Sequence, residues 1–272
     1  MRARLASSTI LTALVALAFG APAVAQDAKQ VLQEALDRYE ARMAGIEDFT
    51  VVHDVMGFEV TNHFEKRMVD GHPVYFMKDM DGGEEEDLGM LYTEFMEIAD
   101  HATIQGTETI DGKACHVVHV ADMSVVDWDP QMGEEDAEFR PKTGTFYIDR
   151  DEYLLRKMII DAEIEREGQA TPVTMQMMLG DYREVEGLVH PWVTQMKISG
   201  LAGAMSEEEM AQAKESLAEI KKRMAEMDEA QRKMMEDMMS GQIEKLEEMV
   251  ESGEMEVTIT VKELRVNTGS TE

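Results

Sequence analysis

The sequence predicts an α+β protein: an antiparallel β-sheet of roughly ten strands, with one helix ahead of it and a helical insertion between its last two strands. Three observations carry this prediction. Apolar residues recur at helical spacing over residues 27–46. From there to residue 200 they alternate, in short runs separated by Gly and Asp turn signals. Between 206 and 252 the alternation gives way to methionines and leucines stepping by three and four.

Ahead of the first helix, Arg2 and Arg4 precede an apolar stretch from Ile10 to Phe19, then Gly20, Pro22 and Ala23-Val24-Ala25. This is the pattern of a secretory signal with cleavage after Ala25, leaving 26–272 as the exported domain. The apolar run is too short to span roughly 30 Å of hydrocarbon. No Cys follows the small residues, so no lipid is expected on the new terminus. No later segment is apolar enough to cross a membrane, so none is expected in the mature chain.

The first helix shows Val31, Leu32, Ala35, Leu36, Tyr39, Met43 and Ile46 on one face. Strands are expected at 49–56 and 58–68 around Gly57, and at 72–78 after Asp70-Gly71. An acidic loop, 79–87, holds Glu84-Glu85-Glu86-Asp87 but lacks the EF-hand spacing for calcium. A short helix over 88–101 follows. Further strands are expected at 103–110 and 113–121 around Asp111-Gly112, then at 143–149, 153–164, 171–180, 188–200 and 255–266. Tight turns join most of them, which predicts one continuous antiparallel meander.

In the insertion, Ser206 and Glu209 form a capping box. Met210, Ala213, Leu217, Ile220, Met224 and Met227 then make a heptad seam, and Glu219 with Arg223 and Glu229 with Lys233 are favourable pairs one turn apart. Asp228 and Gln231 start a second helix through Met234, Met235, Met238 and Met239, broken at Ser240-Gly241. Ile243, Leu246, Met249 and Val250 form a last apolar face.

Fifty-six acidic against 26 basic residues give a formal charge of −30, which repels nucleic acid and anionic headgroups. The single Cys115 excludes an internal disulfide, and its alternating surroundings fit a buried structural thiol better than a nucleophile. His116 and His119 stand three apart in a strand and so point to opposite faces. The other histidines show no metal-ligand spacing, and no nucleophile elbow, phosphate loop or zinc-protease motif is present. Neither catalysis nor a cofactor is expected. Methionine as a soft ligand for Cu(I) is a further reading, but paired methionine motifs are missing and the heptad seam explains the spacing.

Three stretches resemble the outer-membrane lipoprotein-sorting family, the lipoprotein carrier group of Gram-negative periplasms. Gly106-Thr107-Glu108-Thr109-Ile110-Asp111-Gly112-Lys113 is similar to its G-x-E-x-x-D-G-K strand-turn-strand. Phe146-Tyr147-Ile148-Asp149 leading into Leu154-Leu155-Arg156-Lys157 is similar to its strand, Asp, turn, strand unit. Asp181-Tyr182-Arg183-Glu184-Val185-Glu186-Gly187, running on to Pro191, resembles its D-Y-x-x-V-x-G-x-x-x-P signature, and Val266-Asn267-Thr268-Gly269 its closing strand. The methionine-rich helices are no general feature of that family, and the apolar C-terminal tail of many relatives is missing from this sequence. The resemblance implies a strongly curved sheet, an incomplete barrel, with helices closing its concave side over an apolar cavity that holds acyl chains or is adapted to bind a protein.

Alternation groups Val173, Met175 and Met177 on one face of a strand. It groups Trp192, Met196 and Ile198 on a second, and Val257 and Ile259 on a third. These eight are the candidate lining of an apolar cavity, and Met210, Leu217, Ile220, Met224 and Met227 the candidate lid. Methionine, with 25 in the chain and ten from Met205 to Met255, adapts to irregular apolar ligands. The same residues could instead be packed core, and the helical seam could meet a partner. The expected function is a periplasmic, non-enzymatic carrier or binding protein for a lipidic ligand such as a lipoprotein acyl chain. The alternative is an envelope sensor or assembly factor that binds a protein partner.

Overall fold

The computed structural model describes residues 27–69, 71–78, 95–126, 137–166, 168–205, 207–229, 232–233, 243, 247 and 250–269. Helix α1 (Ala28–Met43) starts where Asp27, in extended backbone, accepts a hydrogen bond from the Gln30 N–H at 2.7 Å. Its apolar stripe is almost wholly removed from solvent, with Val31, Leu32 and Ala35 at 0% and Leu36 at 1% exposure. Past the far end the Tyr75 hydroxyl donates to the Ile46 carbonyl at 2.7 Å and lies 3.2 Å from that of Met43, which also accepts from the Ile46 N–H at 3.1 Å.

Ten strands follow: β1 (Asp48–Val55), β2 (Phe58–Val69), β3 (His72–Lys78), β4 (Ala102–Ile110), β5 (Lys113–Val120), β6 (Ala137–Asp149), β7 (Leu155–Arg166), β8 (Gln169–Val185), β9 (Leu188–Ser199) and β10 (Glu254–Val266). Between β3 and β4 lie α2 (Phe95–Ile98) and a 3₁₀ turn, Ala99–His101. Between β9 and β10 lie α3 (Leu201–Ala204), α4 (Glu207–Glu226) and helical residues at 229, 232–233, 243, 247 and 250–252. All ladders are antiparallel and make one sheet, ordered β3-β2-β1-β10-β9-β8-β7-β6-β5-β4.

That order corrects the expected continuous meander. Consecutive strands pair everywhere except at β3 and β4, which form opposite edges, while β1 pairs with β10. The 79–101 connection is too long for a hairpin and carries α2, so the two strands need not be neighbours. Ten strands spaced about 4.8 Å apart would put the edges of a flat sheet some 43 Å from each other. Helix α1, with 16 residues, is only about 24 Å long, yet it contacts both β3 and β4. The sheet therefore curls around α1 as an incomplete barrel, open between β3 and β4.

Helix α1 crosses the concave face diagonally. Near its start Lys29 pairs with Asp100 at 2.9 Å, next to β4, and near its end Glu40 pairs with His72 on β3. At the end of the barrel where α1 finishes, side chains hold the turns. Asp48 accepts from the N–H groups of Thr268 at 2.9 Å and Gly269 at 3.2 Å, and Asn267 bridges Glu47 and Gly45. In the β6–β7 turn, Asp149 accepts from the N–H groups of Asp151 and Glu152, both at 2.9 Å, and from Arg156 at 3.1 Å. We call this the clasped end. At the opposite, open end the insertion leaves and re-enters the sheet.

Two strands exceed expectation. β6 begins at Ala137, and the irregularity at Pro141 is absorbed by a register shift between Pro141 and Thr143. β8 continues through Gly180 to Val185, with Asp181 in left-handed backbone (φ 48°) where a turn was expected. Met56-Gly57, Asp111-Gly112 and Glu186-Gly187 form the expected hairpins, each with positive φ at both residues. The signal segment, the acidic loop, the start of the 88–101 helix, Ser206 and the Ser240-Gly241 break lie outside the described residues.

Candidate functional site

Residues directly opposite on neighbouring strands share a face, so the ladders trace rows across the concave surface. One row runs Ile104–Val118–Phe146–Met158–Met177–Met196–Val257, from β4 to β10. A second, toward the open end, runs Val120–Gly144–Ile160–Met175–Ile198–Met255. A third, nearer the clasped end on β8 to β10 but ending beside the Met56-Gly57 hairpin at the other end of β1 and β2, runs Leu179–Thr194–Ile259–Val55–Phe58. The three rows are apolar in all but two positions, Gly144 and Thr194.

Cover is unequal. Val118, Phe146, Met158, Ile160 and Val173 pack with Val31, Leu32 and Ala35 of α1 in one cluster. A second cluster joins Met43 and Ile46, at the end of α1, to Phe49, Val51, Phe64, Tyr75 and Leu188. Outside both cores, Met196, Val257, Ile259 and Val55 are half-buried. Beyond them Phe58 and Val60, on the same face, are 61% and 41% exposed.

The eight candidate lining residues thus separate. Val173, Met175 and Ile198 are packed core, at 3%, 4% and 1% exposure. Met177, Trp192, Met196, Val257 and Ile259 are half-buried on the concave surface. Leu179, Val55, Phe58 and Val60 extend that surface and were not among the candidates. The pairing of β1 with β10, which brings the last three of these in, joins opposite ends of the chain.

The same surface contains two imidazoles. His53 and His190 approach across β10, with ring centroids 6.5 Å apart, and His190 lies 6.3 Å from the Phe49 ring. Burial, and then the neighbouring His53, push the His190 pKa down to about 4, and burial lowers that of His53. Asn62 meets His53 Nδ1 at 3.3 Å. Toward the clasped end the Arg183 guanidinium sits 4.7 Å over the Trp192 ring and pairs with Asp181 at 2.5 Å.

The insertion is rooted at the open end. Gly200 (φ 93°) and Gly253 (φ 70°) hold left-handed backbone, and a Cβ on them would lie 2.5 Å from the Pro172 carbonyl oxygen and from the Ala202 Cβ, respectively. The Leu201 N–H donates to the Gly253 carbonyl at 3.0 Å, and the Thr171 hydroxyl to that of Gly203 at 3.0 Å. Ala204 packs on the core beneath α1. Of the five candidate lid residues Leu217 is buried, at 9%, while Met210, Ile220, Met224 and Met227 are half-buried. Lys221 on α4 reaches Glu247 at 2.8 Å, tying the outgoing helix to the returning one.

The outward face of α1 borders a cleft of about 530 Å³ lined by Asp27, Lys29, Gln30, Gln33, Glu34 and Asp37. Its chemistry suits water and ions and would exclude hydrocarbon. Cys115 is fully buried on the convex face against Ile110 and Tyr147, and burial raises its thiol. His116 and His119 do point to opposite faces: His116 nears Tyr153, and His119 meets Thr145. Among the described residues, no three His, Cys, Asp or Glu side chains are grouped to hold a metal, and no helix is long and apolar enough to cross a membrane.

No protein-family model and no curated protein matches the chain. Among solved structures it is similar to a DUF1329 family protein from Desulfovibrio piger, at 10% identity and a TM-score of 0.37 over 89% of this chain and 94% of that one. It is also similar to a LolA superfamily protein from Nitrosomonas europaea, at 8% identity and 0.29 over the same shares. A third likeness, at 21% identity and 0.27, is to LprF from Mycobacterium bovis, over 50% of this chain and 89% of that one. With such TM-scores these likenesses carry no information about the site, which is defined by the ladders and side chains of this chain alone.

Proposed function

We propose that this chain is an exported, non-enzymatic carrier or binding protein for a lipidic ligand, held against the uncovered part of the concave face. The observation that carries the reading is the unequal cover of rows that are apolar in all but two positions. Where Phe146, Met158 and Ile160 are sealed under α1, Met196, Val257, Ile259, Phe58 and Val60 continue the same surface with partial or no cover. Uncovered apolar surface of this extent marks a binding site on a soluble domain. From His190 to Met196 the strand runs about 20 Å along this surface, enough for an extended hydrocarbon chain. The methionine-rich insertion, rooted at the open end, is proposed to fold over this surface as a lid, with Met210, Leu217, Ile220, Met224 and Met227 toward the ligand. The resemblance of the hairpin motifs to lipoprotein carriers supports the half-barrel frame on which such a ligand would sit, and the leader supports a periplasmic address.

The test is displacement of a fluorescent fatty acid by acyl chains of rising length. Each methylene buried should contribute about 0.8 kcal/mol, or about fourfold in affinity, until the surface is full. Met196→Glu and Val257→Glu should weaken binding severely, because an unpaired carboxylate would lie where acyl carbon rests. Gln212→Glu, on the exposed side of α4, should change little. Equal affinity for short and long chains, or no binding, overturns the carrier reading in favour of a protein partner.

A further inference from the structure

The half-covered face is mostly apolar, its polar members being Thr194, Arg183, Asn62 and the pair His53 and His190, and the two imidazoles have unused hydrogen-bonding capacity. No described residue bonds to either ring nitrogen of His190, whose ring contacts are Phe49 and His53. His53 is engaged at Nδ1 only, by the Asn62 amide at 3.3 Å. With the amide donating, Nδ1 is the acceptor and the proton resides on Nε2, so His53 presents an N–H donor with no partner among the described residues. These nitrogens are not sealed inside the protein, since among the described residues the only buried side-chain nitrogen without a partner is His63 Nε2, so an occupant of the face can reach and bond to them.

We propose that His53 and His190 form the polar anchor of the concave face, and that its occupant is an uncharged acyl ester or amide, whose carbonyl oxygen accepts from an imidazole N–H, rather than a free fatty-acid anion. This rests on the reading of the face as a lipid-binding site and names the chemistry it selects. Three features support the neutral group. Both imidazoles are held neutral at pH 7, so neither offers a counter-charge. Arg183, directly opposite His190 on β8, is already paired with Asp181 and stacked on Trp192. The strand between the histidines contributes Val261, which is buried and apolar. A carboxylate would be buried here without a partner, at a cost that an ester does not bear.

The experiment measures displacement of the uncharged dye N-phenyl-1-naphthylamine from the purified exported protein. The competitors are 1-monolaurin and laurate at pH 7, which share one acyl chain and differ in the head. The glycerol ester should compete about tenfold better than the anion, the size expected for one made hydrogen bond against one buried unpaired charge. His53→Leu and His190→Leu should keep dye binding and reduce that preference to about twofold or less. His53→Gln, which restores a neutral N–H donor, should recover it. Lowering the pH toward 4 should release monolaurin from the native protein as His190 gains a proton inside apolar surface, and should do so far less in His190→Leu. Equal competition by ester and anion, or an undiminished preference in His53→Leu, overturns the anchor while leaving the apolar site intact. Loss of dye binding by the native protein overturns both readings at once.

Discussion

Across β6 and β7 the concave face is sealed, with Phe146, Met158 and Ile160 at 2%, 1% and 0% exposure. Along the same rows, on β9 and β10, Met196, Val257 and Ile259 are half-buried, and on β2 Phe58 stands 61% exposed. The two regions have the same kinds of side chain and the same alternation. They differ in what lies over them, because α1 runs from β4 at the open end to β3 at the clasped end, where Met43 and Ile46 pack on Phe49, Phe64 and Leu264, and leaves unfilled the open-end corner of β10, β1 and β2 around Val257, Ile259, Val55 and Phe58. Alternation selects a face, and only a second element decides whether that face is core or surface.

The largest expected effect sharpens this contrast directly. Phe146→Ala or Leu32→Ala in the sealed region should cost about 3–4 kcal/mol in urea unfolding, since a cavity is left among close-packed neighbours. Ile259→Ala in the unfilled corner should cost less than about 1 kcal/mol, because its side chain is only partly removed from water. Similar losses at both places would mean that the corner is packed as tightly as the core.

Next in size is the clasp at Asp149, which is 1% exposed. Burial alone would raise its carboxyl, but the N–H groups of Glu152 and Asp151 and the Arg156 charge outweigh burial and hold it below the ordinary value. Asp149→Ala should cost about 3 kcal/mol at pH 7, leaving Arg156 short of its buried partner. A depressed carboxyl stabilises the fold fully above its ordinary pKa and stops doing so as the pH falls through the folded-state value. The gap between native and Asp149→Ala stabilities should therefore close below about pH 4. A gap independent of pH would assign the loss to packing.

The smallest effect is expected from the insertion. Replacing 206–252 with a short Gly/Ser linker should remove helix signal from circular dichroism and keep the strand signal, with stability changed by about 1 kcal/mol or less. Loss of strand signal would make the insertion part of the core rather than a cover for the unfilled corner.

Most hairpins were legible because a left-handed pair such as Asp111-Gly112 or Glu186-Gly187 is a local demand of the backbone. The stretches that resemble the carrier family fall on the same features. The Asp149 turn, the Glu186-Gly187 turn and the Asn267 bridge all belong to the clasped end, so those motifs report the fold and are silent about ligand. The extents of β6 and β8 were less legible, since Pro141 and Gly180-Asp181 look like breaks and are instead carried within strands. The site was half legible. Met177, Trp192, Met196, Val257 and Ile259 follow from alternation alone. Val55, Phe58 and the approach of His53 to His190 depend on β1 pairing with β10, which no local pattern encodes.

That pairing also governs the order in which the molecule can assemble. Asp48 and Thr268, hydrogen-bonded at 2.9 Å, stand 220 residues apart. A chain emerging N-terminus first presents β1 as a bare strand edge until β10, the last strand, is available to cover it. Ladders of such sequence separation form slowly, because the loop must be closed before any pairing repays it. The unfilled corner, bounded by β10, β1 and β2, therefore cannot be complete before β10 has emerged, and a ligand can meet the whole of it only after that point.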